Sequence, residues 1–153
     1  GYFNFSVPEP TGIVGVILPD TLSFLPLISR VAVTLTTGNS CIIIANENSP
    51  LPALSFAEVI ATSDFPGGVI NILTGQKKEI VSHLAGHFDV NAIDYCDNDP
   101  DMRKTIMELC SNNVKRFHSL PKEWNWYSDE MNENLKEIEK FTGIKTVWHT
   151  MGS

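Results

Sequence analysis

Short apolar runs separated by segments of helical length restrict this chain more than any other feature. Gly12-Ile13-Val14-Gly15-Val16-Ile17-Leu18, Cys41 to Ala45 and Val69 to Leu73 are strand-sized and apolar nearly throughout. Val90 to Tyr95 and Val114 to His118 repeat the length with more polar content. A strand that alternates apolar and polar residues buries one face. A continuous apolar run buries both, as in a parallel sheet covered by helices.

The intervening segments read as those helices. Leu22 to Thr37 stops at Gly38, a residue suited to a left-handed C-cap. Ser49-Pro50 offers an N-cap and a first-turn proline to a helix carrying Leu54, Ala57, Glu58 and Ile60. A third helix runs through Ile80, Val81 and Leu84 to Gly86, and Asp99-Pro100 opens a fourth with Met102, Ile106 and Leu109 on one face. Regular β–α alternation gives an α/β fold: a doubly wound, Rossmann-like parallel sheet of about five strands, with its core over residues 8–120.

The flanks break the pattern. Phe3, Phe5 and Val7 alternate with Asn4 and Ser6, which predicts a half-buried strand. Residues 121–143 read as an irregular aromatic linker, Pro121 to Tyr127, followed by one helix capped by Ser128 and ended by Gly143. Met131, Leu135 and Ile138 would form its apolar stripe at i, i+4 and i+7. Ile144 to His149 reads as a last strand. Strands this short and apolar do not stand alone, and an unpaired edge is a template for association.

Charge and cysteine usage narrow the partners. The net charge of −7 comes without a lysine or arginine cluster, so neither nucleic acid nor an anionic membrane is expected as a partner. Ile13 to Leu18 is far too short to span a bilayer, and no signal peptide is visible. Cys41, Cys96 and Cys110 are odd in number and show no zinc spacing, which reads as buried free thiols in a cytoplasmic protein. His83, His87, His118 and His149 fall on separate predicted elements, so no metal site is expected.

Several stretches together resemble the aldehyde dehydrogenase superfamily. Glu9-Pro10-Thr11-Gly12-Ile13-Val14-Gly15-Val16-Ile17-Leu18-Pro19 is similar to the segment that opens that family's cofactor domain. Gly38-Asn39-Ser40, Glu47, Ser49-Pro50-Leu51 and Phe65-Pro66-Gly67-Gly68-Val69-Ile70-Asn71-Ile72-Leu73-Thr74-Gly75 continue it in register. His87-Phe88-Asp89-Val90 resembles its His-Pro-Asp-Val, and Asn113-Val114-Lys115-Arg116 its Asn-Leu-Lys-Arg. Thr142-Gly143-Ile144-Lys145-Thr146-Val147-Trp148 is similar to the family's closing oligomerisation strand.

The departures from that pattern bear on function. The family's Trp-Asn pair, whose Asn helps hold an oxyanion, is replaced by Asp20 and Thr21, and the lysine that binds the cofactor's ribose aligns with Ile44. Glu47 matches the ribose-binding glutamate and is the one polar cofactor contact the resemblance carries over. The family's Gly-Ser-Thr-x-x-Gly phosphate site aligns with Asp97-Asn98-Asp99-Pro100-Asp101-Met102, so three carboxylates stand where a pyrophosphate would dock and Pro100 removes an N–H. Lys77 and Val81 replace small family residues, and Lys77 and Lys78 read as solvated lysines at a helix start. After His118-Ser119-Leu120 the family's general-base motif, Glu-Leu-Gly-Gly, does not follow, and no cysteine aligns with its nucleophile; Cys110 is the nearest remaining thiol.

Loss of these motifs is most similar to the shortened second unit of the two-unit aldehyde dehydrogenases, the sixteenth family of that superfamily. The resemblance implies a non-catalytic domain that serves oligomerisation or protein interaction, with no catalytic residue and no cofactor expected. Residues 1–7 and 144–153 would supply an oligomerisation ribbon, with Phe3, Phe5, Ile144, Val147 and Trp148 as its contact residues. The partner would be a second copy or a fused aldehyde dehydrogenase unit. The alternative is an NAD-binding or regulatory portion of an aldehyde-oxidising enzyme, which would use Glu47.

Overall fold

The computed structural model describes residues 1–151; the last two residues of the tail 144–153 lie outside them. The chain opens with β1 (Tyr2–Pro10) and then alternates β2 (Ile13–Ile17), α1 (Phe24–Thr36), β3 (Ser40–Ile44), α2 (Leu51–Ala61), β4 (Ile70–Leu73), α3 (Lys77–Gly86), β5 (Ala92–Tyr95), α4 (Pro100–Ser111) and β6 (Arg116–Ser119). Two short helices, α5 (Asp129–Asn132) and α6 (Leu135–Glu139), precede β7 (Thr142–Thr150).

Strands β2 to β6 form one five-stranded sheet in the order β4-β3-β2-β5-β6, and every pairing in it is parallel. The doubly wound fold follows from the alternation inside β2. Val14 and Val16 join Leu27, Val31 and Val33 of α1 and Ala53 of α2 in one apolar cluster. Ile17 joins Val81 and Leu84 of α3 and Ile106 and Cys110 of α4 in another. Each face of the sheet therefore has its own pair of helices, and the order reverses between β2 and β5.

Most element ends match the sequence reading. Gly38 takes φ +81°, and its N–H bonds the Leu35 carbonyl at 2.9 Å, closing α1 as a C-cap residue should. Asp99 and Pro100 open α4 as expected. The second helix starts one residue later than the Ser49-Pro50 signal suggests, with Pro50 as N-cap. Two strand starts also move. The run from Val90 pairs only from Ala92, and the run from Val114 only from Arg116. Val114 sits at φ 55° and is 93% exposed, so it belongs to the turn before β6.

Residues 121–143 differ more. One helix was expected; two form, because Asn134 caps a fresh start by accepting the Lys136 N–H at 3.0 Å. Asn132 meanwhile turns its amide back to the carbonyls of Asn125, Trp126 and Ser128. Gly143 ends no helix; it lies in β7 opposite Glu9. The segment crosses the α1 face, where Leu120, Trp126 and Phe141 are buried with Leu27 and Val31. It therefore closes the core on that side and is not a detached linker.

The flanking strands pair antiparallel with each other, from Tyr2 opposite Thr150 to Pro10 opposite Thr142. The two expected ribbon strands thus pair within one chain. β1 is exposed along its whole length, where a half-buried strand was expected. Among the described residues, no helix is long and apolar enough to cross a membrane.

Candidate functional site

In an open parallel sheet, ligands dock beyond the C-terminal ends of the strands where the order reverses. Here the loops that follow four of the five strands are tied to one another at that edge. Asp20 follows β2, Glu47 follows β3, Lys77 follows β4 and Asp97 follows β5. The Lys77 ammonium lies 2.9 Å from Asp20 Oδ1 and 2.8 Å from Asp97 Oδ2. Lys77 is only 2% exposed, which overturns its reading as a solvated lysine. Lys78, its neighbour, is exposed as expected.

The same residues satisfy the backbone around them. Asp20 Oδ1 accepts the Glu47 N–H at 2.8 Å, and Glu47 Oε2 accepts the Lys77 N–H at 2.9 Å. Gln76, the N-cap of α3, makes no side-chain cap of its own. Glu47 therefore supplies the acceptor from another loop, and its charge suits the positive end of the helix. Glu47 is exposed, but one of its oxygens is committed to this cap. Gly75 makes the tight entry to α3 possible: it sits at φ +152°, and a Cβ there would lie 2.9 Å from Ile80 Cδ1.

The start of α4 is likewise satisfied from within. Asp99 Oδ1 accepts the N–H groups of Asp101 and Met102 at 2.9 and 3.2 Å, and Pro100 has none to offer. Between α3 and α4 lies a shallow cleft of about 290 Å³, lined by Lys78, Val81, Ser82, Asp99, Asp101, Met102 and Thr105. Val81 is 3% exposed and belongs to the same apolar cluster as Ile44, itself fully buried. Ile44 is thus a core residue, and its side chain offers nothing to a ligand.

A second charged cluster lies inside the domain. Arg30 of α1 is fully buried and donates through Nε to Asp94 Oδ2 of β5 at 2.6 Å and through Nη1 to Glu137 Oε2 of α6 at 3.1 Å. Lys140 pairs with the other Glu137 oxygen at 2.5 Å, and the Phe141 ring lies 5.8 Å from the guanidinium carbon. Burial opposes the charge on Arg30, but Asp94, Cys96 and Glu137 outweigh it and hold its pKa above the usual arginine value. The cluster fastens α6 to the sheet.

The sequence reading passed over Lys77 and Arg30 as partners of these carboxylates. Arg30 carried a signal: it stands three residues after Leu27 and one before Val31, on the core-facing side of α1.

The flanking ribbon divides the expected contact residues between two faces. Phe3 and Phe5 share one face with Val147, as the cross-strand register and the alternation of side chains require. The Phe3 and Phe5 rings lie 5.7 Å apart, and Phe5 stacks on His149 at 5.9 Å. Ile144 and Trp148 stand on the other face with Tyr2 and Pro8. Phe3, Ile144 and Trp148 are 53%, 70% and 67% exposed, while Val147 is half-buried.

The remaining reactive groups are dispersed. Cys41, Cys96 and Cys110 are buried and free, and burial raises all three thiol pKa values, that of Cys41 to about 12. His83 lies on α3, His87 follows it, His118 lies on β6 and His149 on β7. Among the described residues, no group of three or more His, Cys, Asp or Glu could hold a metal ion.

Comparison with known proteins places this geometry. The model of the aldehyde dehydrogenase family matches residues 1–120. The chain is 34% identical over 115 residues to a putative aldehyde dehydrogenase of Bacillus subtilis, covering 75% of this chain and 23% of that protein. It is 36% identical over 114 residues to cytosolic 10-formyltetrahydrofolate dehydrogenase of Xenopus laevis, covering 74% and 12%. Among solved structures, betaine aldehyde dehydrogenase of Staphylococcus aureus in complex with NAD+ superposes with a TM-score of 0.73 at 28% identity, covering 77% of this chain and 23% of that one. The chain thus spans a quarter or less of the length of the curated relatives cited here.

Proposed function

We propose, from the premise that this chain belongs to the aldehyde dehydrogenase family, that it is a non-catalytic unit of that family whose work is assembly through its terminal ribbon. The observation that carries this reading is the ribbon itself. A two-stranded ribbon with apolar residues on both faces is marginal in water by itself. Phe3 and Phe5 on one face, with Ile144 and Trp148 on the other, make both faces candidates for burial. The partner is a second copy of the chain or an aldehyde dehydrogenase unit fused to it.

The residues at the sheet edge support the non-catalytic half of the reading, because they do not fit a dinucleotide. Asp99 already holds the free N–H groups of α4 that would receive a pyrophosphate, and Asp97 and Asp101 add like charge. The lysine position is Ile44, and Val81 narrows the cleft between α3 and α4. The family's Glu-Leu-Gly-Gly motif does not follow Leu120 before β7; that segment instead packs on α1. A second reading, a retained NAD site, draws on Glu47 and on the likeness to an enzyme solved with NAD+. It leaves Glu47 Oε1 to meet a ribose, because Oε2 accepts the Lys77 N–H.

Hydrogen exchange read by mass spectrometry tests the assembly role. Residues 2–10 and 142–150 are expected to be protected in the chain at assembly concentrations or in the longer protein, and exposed after Phe5→Glu or Trp148→Glu. Free exchange of both strands in every form would refute it. Calorimetric titration with NAD is expected to give no saturable heat; a Kd below ~100 μM, worth more than about 5 kcal/mol, would favour the second reading.

A further inference from the structure

We infer that Lys77 is a built-in counter-ion that holds the C-terminal edge of the sheet closed, ordering by an internal ion what a bound ligand would otherwise have to order. The inference rests on the geometry of that edge and is independent of the ribbon.

A buried ammonium is expensive unless it is paired and hydrogen-bonded. Lys77 is 2% exposed, yet its side chain reaches two carboxylates from two different loops, Asp20 at 2.9 Å and Asp97 at 2.8 Å. Those carboxylates would repel each other across the reversal point of the sheet without a cation between them. Neither is idle otherwise: Asp20 Oδ1 also accepts from Glu47 N, and Asp97 Oδ1 accepts from Asn98 N. Glu47 closes the circuit by accepting from Lys77 N. The loops after β2, β3, β4 and β5 are therefore linked in one chain of bonds; Glu47 and Lys77 each contribute to it with both backbone and side chain, and Lys77 supplies its cation.

Three features distinguish this from a surface ion pair. The side chain of Lys77 is 3% exposed, and those of Asp20 and Asp97 are 31% and 19%, so solvent screens the cluster only in part. The cation serves two anions, so losing it leaves two unpaired carboxylates facing one another. The neighbour Lys78, one residue along the same helix, is exposed and has no part in the network, which makes it an internal control.

The consequence is local. Removing the ammonium should loosen the edge loops, while the five parallel strands remain paired. Hydrogen exchange in the full chain measures this segment by segment. In Lys77→Met, amides of residues 19–22, 46–49 and 97–99 are expected to exchange at least about tenfold faster than in the parent, as for a partly buried pair broken on one side. Lys78→Met should leave those rates unchanged. Asp97→Asn should speed exchange at residues 19–22, to which Asp97 is tied through the Lys77 ammonium, and should add little in the Lys77→Met background. Unchanged exchange at residues 19–22 in both Lys77→Met and Asp97→Asn would overturn the inference, as would strictly additive effects in the double variant. If Lys77→Met does not fold, Asp97→Asn against Lys78→Met decides the matter by the same readout. A ribbon that proved unprotected would leave these outcomes unaffected, so the two readings fail separately.

Discussion

Replacing Arg30 by methionine should be among the most destabilising single changes in this chain. The Arg30 and Asp94 side chains are each 1% exposed and meet at 2.6 Å, and the second guanidinium contact reaches Glu137 on α6. Methionine fills similar space but leaves the Asp94 carboxylate without its cation. Breaking one side of a buried pair costs about 3–5 kcal/mol. Arg30 Nη2 and Asp94 Oδ1 have no protein partner in the native cluster, which makes the pair less than fully satisfied and favours the lower end, about 3 kcal/mol. For a chain of 153 residues that corresponds to a fall in Tm of about 6–12 °C. Urea melts followed by circular dichroism would read it as a lower midpoint at unchanged slope. The double variant Arg30→Met with Asp94→Leu should recover much of the loss, because the Asp94 carboxylate is gone and Glu137 keeps its pair with Lys140. A single variant that loses less than about 1 kcal/mol, or a double variant no better than the single, would show that the cluster behaves like a surface pair and that this account of α6 docking is wrong.

Two further outcomes follow from burial. Cys41, with its thiol pKa pushed up to about 12, and the buried Cys96 and Cys110 should not react with a thiol reagent at pH 8 in the native chain, and all three should react in denaturant; rapid native labelling of any would refute their placement. Burial first, and Lys140 and Arg116 after it, hold the His118 pKa below its usual value although Asp94 acts the other way. The unfolded state then takes up a proton more readily than the folded one, so the contribution of His118 is complete above about pH 6.5 and is lost as pH falls from there through the lowered folded value. The parent should lose stability over that interval and His118→Gln should lose less; parallel curves would refute it.

The parallel sheet was legible in the sequence because its cause is local. A strand buried on both faces must be apolar nearly throughout, and Ile13 to Leu18 or Cys41 to Ala45 can be little else. Caps were legible for the same reason: Gly38 and Asp99-Pro100 act within a few residues of themselves. What escaped was long-range pairing of charge. Lys77 next to Lys78 looks like a solvated helix start, and only the packing of β2 and β5 side by side brings Asp20 and Asp97 to it. For Glu47 the sequence offered only the match to a ribose-binding glutamate, because its acceptor role depends on an N–H thirty residues away. The tail from 121 to 143 misled for another reason: its apolar spacing suits one helix, but Asn132 and Asn134 divert backbone partners and split it.

The distribution of satisfied and unsatisfied groups then separates the two regions. At the sheet edge Glu47 accepts the Lys77 N–H of α3, Asp99 accepts the Asp101 and Met102 N–H groups of α4, and the buried cation has two carboxylates. A ligand that sought those N–H groups or that cation would have to break bonds to reach them, which reduces its net gain. The ribbon presents the opposite case. Its side chains expose Trp148, Ile144 and Phe3, and its charged pair, Lys145 with Glu9 at 3.3 Å, is neutral in a chain of net charge −7. A neutral apolar surface on an acidic body can be covered without bringing like charges together. Covering it would remove apolar area from water, and that physical ground supports the proposal that a partner covers the ribbon.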